Sequence, residues 1–150
     1  MTELNLIIGG ALGSFAFALI YNIKGKRLLA ASIGGLLCCS LYALLGLFID
    51  SEPAICFVVS MAISIYSEIL SRVLKTPTTT FIIPSLIPLI PGGSLYYTMS
   101  SAFEGDFDLF LSNAISTLLL ALAIALGVCV TVAGTRFVMR LKAAWERSHQ

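Results

Sequence analysis

The sequence predicts an all-α polytopic membrane protein with about five transmembrane helices, the fourth broken by proline and glycine. Three observations lead there. Of 150 residues, 58% are hydrophobic and only 11% charged, with a mean hydropathy of +0.97, far from the roughly 25% charge of a soluble domain. Apolar stretches recur at residues 4–21, 28–49, 54–74, 81–102 and 109–135, each near the ~20 residues that a helix needs to cross the hydrocarbon core. All nine basic residues fall in alternate connections. With no linker or repeat, residues 1–150 read as a single membrane domain.

The first stretch follows Glu3 rather than a basic segment and has no small-residue cleavage site, so it reads as a permanent span. Gly9 with Gly13, and Gly10 with Ser14, form two overlapping small-xxx-small pairs that let another helix approach closely. Asn22 at its end is either a polar path residue or a helix terminus. In the second stretch Ser32, Gly35 and Cys39 form a similar small-residue face.

The third stretch carries Ser60, Ser64, Ser67 and Ser71 at offsets of four, three and four, one stripe of a helix. They read as close packing or as a polar path. Glu68 lies beside the stripe, and a carboxylate within a span costs free energy unless paired, protonated or hydrated. It is a proton-coupling candidate, against which stands an i,i+4 pair with Arg72.

The fourth stretch places Pro84, Pro88, Pro91, Gly92 and Gly93 in apolar sequence. Proline removes a backbone donor and clashes with the preceding turn, so the three cannot share one uninterrupted helix. Lipid cannot satisfy the freed backbone groups, so such a break must pack on protein or line a wet cavity. Discontinuous helices hold substrates in many transporters. Ser94 is the expected cap of a second half-helix, and Tyr96 and Tyr97 offer neighbouring hydroxyls, which makes 84–97 the predicted substrate-binding or gating segment.

The fifth stretch has Asn113, Ser116 and Thr117 toward its start, groups that can glue helices or line a path. After it, residues 136–150 combine four basic residues with Phe137, Leu141 and Trp145 at helical spacing, which predicts a short amphipathic interfacial helix. His149, the only histidine, is assigned no chemistry.

Lys24, Lys26, Arg27, Arg72, Lys75, Arg136, Arg140, Lys142 and Arg147 mark the cytoplasmic side, with Glu3, Asp50, Glu52, Glu104, Asp106 and Asp108 opposite. The N-terminus is therefore expected outside and the C-terminus inside a cell membrane. The net charge of +1 implies no nucleic-acid partner.

Cys38, Cys39, Cys56 and Cys129 lie in apolar spans and read as small hydrophobes, not as a disulfide or metal set. No cofactor is implied. An intramembrane protease lacks its residues, because the histidine is terminal and the aspartates are in loops. No phosphate-binding loop is present, so transport by this chain would use a gradient or a separate motor.

The run Thr76-Pro77-Thr78-Thr79-Thr80-Phe81, then Ile87-Pro88-Leu89-Ile90-Pro91-Gly92-Gly93 and Tyr96-Tyr97, resembles the threonine/serine exporter family in its second membrane half. Residues 17–22 and 66–72 fit the same pattern. The resemblance implies export of a small polar substrate: threonine and serine in fused members, succinate-like dicarboxylates in a split two-subunit system. It also implies a larger membrane subunit with five spans and a soluble N-terminal domain as partner. The function expected is therefore that of a membrane subunit of a secondary exporter working by alternating access. A non-transporting assembly subunit and a homo-oligomeric channel are the alternatives.

Overall fold

The computed structural model describes residues 3–148, which fold into helices joined by short turns. Among the described residues six α-helices follow in order: α1 (Glu3–Ile20), α2 (Lys26–Leu45), α3 (Glu52–Val73), α4 (Thr79–Leu86), α5 (Gly92–Glu104) and α6 (Phe107–Ser148). A 3-10 turn, Ile87–Leu89, stands between α4 and α5. α2, α3 and α6 are each long and apolar enough to cross a membrane, and the pair Thr79–Leu89 and Gly92–Glu104, bent by 55°, has the length and apolarity of a broken span or a re-entrant loop. The apolar stretch of α1, Ile7–Ile20, is shorter.

Local chemistry sets the boundaries. Asn22 takes φ 56° and Gly25 φ 64°, which turns the chain between α1 and α2; Asn is among the few non-glycine residues that visit this region readily. Pro53 opens α3 in its first turn, where its missing N–H costs nothing. Gly105 at φ 77° ends α5, and the Asp106 carboxylate accepts from the Leu109 N–H at 3.0 Å to start α6.

The broken span departs from expectation in detail. Pro84 sits inside α4 and Pro88 inside the 3-10 turn, so the break itself falls at Ile90 and Pro91, whose backbones are not helical. The second half-helix restarts at Gly92 behind Pro91, with no side-chain cap. Ser94 is therefore a third helical residue and not the cap, because proline's fixed φ already prepares the restart two residues earlier. At the far end α6 runs unbroken into the basic tail as far as Ser148, where the sequence predicts a separate interfacial helix. No proline or glycine lies beyond Gly134 to stop it. The side chains of Leu141 and Trp145, and His149 as a whole, lie outside the described residues.

Small residues weld the bundle. α2 presents Gly34 to Ser85 of α4 and Gly35 to Ser14 of α1, so one dipeptide seats two neighbours. Tyr66 of α3 donates to the Ala30 carbonyl at 2.8 Å, and Ser85 to the Ala31 carbonyl at 3.3 Å. Gly10 lies against Cys39 and Pro88, with the Pro88 ring 3.2 Å from where a side chain would begin, so α1 buttresses the break. The companion pair Gly9 and Gly13 has nothing within 4 Å among the described residues. One buried cluster joins Cys38, Ile55, Val59, Ile63, Leu89 and Leu120 across α2, α3, the 3-10 turn and α6. A second joins Ala18, Ala30, Ala31 and Phe81 between α1, α2 and α4.

α3 and α6 meet where Gly127 abuts Ser60, with the Phe57 carbonyl 2.7 Å from where a side chain would begin. A methyl there would strike backbone, which cannot swing aside. Gly127→Ala is expected to destabilise the bundle by about 1–3 kcal/mol through overpacking. Thermal unfolding in detergent reads this, and an unchanged midpoint would show that the α3/α6 contact yields easily.

Candidate functional site

A cavity of about 240 Å³ opens beside the break. The broken span contributes Pro88, Pro91, Gly92, Gly93 and Ser94 to its wall. α2 contributes Cys38, Cys39 and Tyr42, α3 contributes Glu52 and Cys56, and α6 contributes Leu120. The volume suits a small metabolite and falls below the ~300–1,000 Å³ of drug-sized pockets.

The first turn of α5 borders this space. Its leading N–H groups have no carbonyl one turn earlier in the helix to bond, while Leu95 N–H already bonds the Pro91 carbonyl at 3.0 Å. Gly93 and Ser94, in this first turn, line the cavity, so the positive end of the helix dipole borders it. Glu52 is the sole charged side chain in the wall among the described residues. It opens α3, and its side chain is exposed. One site therefore holds amide donors, a carboxylate, a phenol and a hydroxyl against apolar walls.

The other predicted site residues lie elsewhere. Pro84 is fully buried and borders a separate cavity of about 230 Å³ with Tyr21, Thr79 and Thr80. Tyr96 and Tyr97 are 68% and 63% exposed and meet edge to face at 5.6 Å, outside the cavity wall. Helical rotation turns Thr98 and Ser101 inward instead. Thr98 Oγ1 lies 3.1 Å from Thr117 Oγ1, and Asn113 Nδ2 donates to Ser101 Oγ at 3.0 Å, so the polar groups of α6 join it to α5.

Ser60, Ser64 and Ser67 are fully buried and line neither of these two cavities. Ser60 Oγ donates to the Phe57 carbonyl at 2.9 Å and Ser64 Oγ to the Ser60 carbonyl at 2.7 Å, the back-bonding of small packed side chains. Ser71 Oγ accepts from Thr78 Oγ1 at 3.1 Å. Asn22 is exposed in the α1–α2 turn. Glu68 has a side-chain exposure of 15% and accepts from Arg72 at 3.4 Å, away from the cavity at the break.

Sequence reasoning passed over Glu52, Tyr42 and the convergence of Cys38, Cys39 and Cys56. A signal was there to find. Cys38 and Tyr42 are four apart at the end of one span, and Glu52 and Cys56 four apart at the start of the next. Each pair shares a helix face, and the intervening loop is short enough to bring the faces together.

No curated protein and no solved structure matches the chain. A family model described as "Threonine/Serine exporter, ThrE" matches residues 6–133, which include the break and every residue of the cavity wall. The chain belongs to the threonine/serine exporter family.

Proposed function

We propose that this protein is a membrane subunit of a secondary exporter, that its five spans run from an outside N-terminus to an inside C-terminus in the cell membrane, and that it works with a larger membrane subunit by alternating access. The observation that carries the reading is the cavity at the break, built from Pro88, Pro91, Gly92, Gly93 and Ser94 in a chain of an exporter family. A discontinuous helix pointing backbone donors into a small polar space is how many transporters hold an anionic group. The site favours an amino-acid zwitterion over a dicarboxylate. The substrate carboxylate meets the Gly93 and Ser94 amides, and its ammonium meets Glu52; a second substrate carboxylate would face Glu52 and be repelled.

The test is counterflow of labelled threonine, serine and succinate in liposomes carrying this chain alone, a five-span partner alone, or both. Amino-acid flux only with both chains is the expected result. Flux with the partner alone would reduce this chain to an assembly subunit, and flux with this chain alone would favour a homo-oligomer.

Glu68 is the proposed coupling carboxylate, a group held at low exposure near the basic end of α3. Glu68→Gln is expected to abolish uphill export driven by an imposed pH gradient while sparing counterflow, which needs no driving ion. Gradient-driven export equal to wild type would leave Glu68 as a mere partner of Arg72.

A further inference from the structure

On an outer side of α3 and α6, away from the cavity at the break, two hollows of about 340 Å³ each run together, sharing Ile65, Arg72 and Thr135. Their walls are Met61, Ile69, Val73, Val130, Val138 and Met139, with Thr131 as a polar member of the first hollow and the Glu68 carboxylate, paired with Arg72, in the second. The floor is open at Gly134, where a side chain would meet nothing within 4 Å among the described residues. From Met61 to Val73 the trough covers about 18 Å at 1.5 Å per residue, close to the depth of one leaflet of a ~30 Å hydrocarbon core.

Charge is concentrated at one end. Arg72 borders both hollows with half of its side chain exposed, and its contact with Glu68, at 3.4 Å, leaves further guanidinium donors for an oxyanion. Arg136 and Arg140 are exposed on the neighbouring stretch of α6. An apolar trough one leaflet deep, closed by an arginine, complements a lipid with an acyl tail and an anionic head. We infer that the α3/α6 groove binds one anionic phospholipid from the leaflet on the basic side, its acyl chain over Gly134 and its phosphate at Arg72. The inference rests on membrane embedding, and although its phosphate contact Arg72 also pairs with the proposed coupling residue Glu68, lipid retention is read without transport.

Native mass spectrometry of the full chain, released from vesicles of equimolar phosphatidylglycerol and phosphatidylcholine, tests it. Wild type is expected to retain a phosphatidylglycerol in preference to phosphatidylcholine. Arg72→Gln should cut that preference about fivefold, the weight of one basic residue at an anionic surface. Gly134→Leu should remove retention of either lipid by filling the trough, with helix content by circular dichroism unchanged. Should that variant lose helix content, Val138→Trp fills the same trough from its exposed side and must give the same loss. Equal retention of the two lipids, or phosphatidylglycerol retention unaltered by the charge and filling variants, overturns the inference. So does a cross-link from Ile65→Cys to a second protein chain, which would put a helix in the groove.

Discussion

Glu52→Gln should lower threonine counterflow about tenfold to a hundredfold, because a hydrogen bond to a charged group contributes roughly 1.5–3 kcal/mol. The substitution keeps the shape of the side chain and removes only its charge, so the cavity wall is preserved. Glu52 stands in the first turn of α3, where a negative charge also complements the helix dipole. Losing that local term costs stability and leaves substrate choice alone. The two effects separate in the measurement. A specificity role lowers threonine flux and leaves succinate flux equal or raised, since a repelling carboxylate has gone. A purely structural role lowers both in step with the thermal midpoint, and an unchanged half-saturation for threonine would end the assignment.

Gly93→Leu should abolish flux of every substrate while leaving the fold intact. Nothing among the described residues lies within 4 Å of a side chain begun at Gly93, so its addition meets no wall and forces no backbone shift. The residue is helical with ordinary φ, and glycine in a helix carries an entropic cost of about 0.5–1 kcal/mol that a leucine relieves. A stable protein that does not transport is the expected combination, because the new side chain stands beside the cavity, at the amides proposed to receive the substrate. Thermal unfolding and counterflow on one preparation read both halves. Full transport by a stably folded variant would move the binding site away from the break.

Much of this protein was legible in the chain. The prolines announced the break because their chemistry acts on their own backbone, whatever surrounds them. Gly10 and Ser14 announced a close helix contact for the same reason. The serine stripe on α3 was legible as a face but not as a purpose. Ser60, Ser64 and Ser67 offer the same hydroxyls whether they meet a helix or water, and only the tertiary structure buries all three and sets Ser60 against Gly127 of α6. The tyrosines went the other way: one turn after Gly92 and Gly93 in sequence, Tyr96 and Tyr97 are carried outward by helical rotation.

The sequence by itself determined a helical membrane chain, a proline break in its apolar segment and its family, since composition, proline chemistry and motif are properties of neighbouring residues. Only the tertiary structure decided what the break faces. Glu52 and the pair Cys38 and Tyr42 reach Gly93 through the packing of α2 and α3 on the 3-10 turn, a meeting of residues about forty to fifty-five positions apart. No local rule encodes such a distance, because which faces of helices meet depends on every small residue that lets them close, Gly34, Gly35 and Gly127 among them.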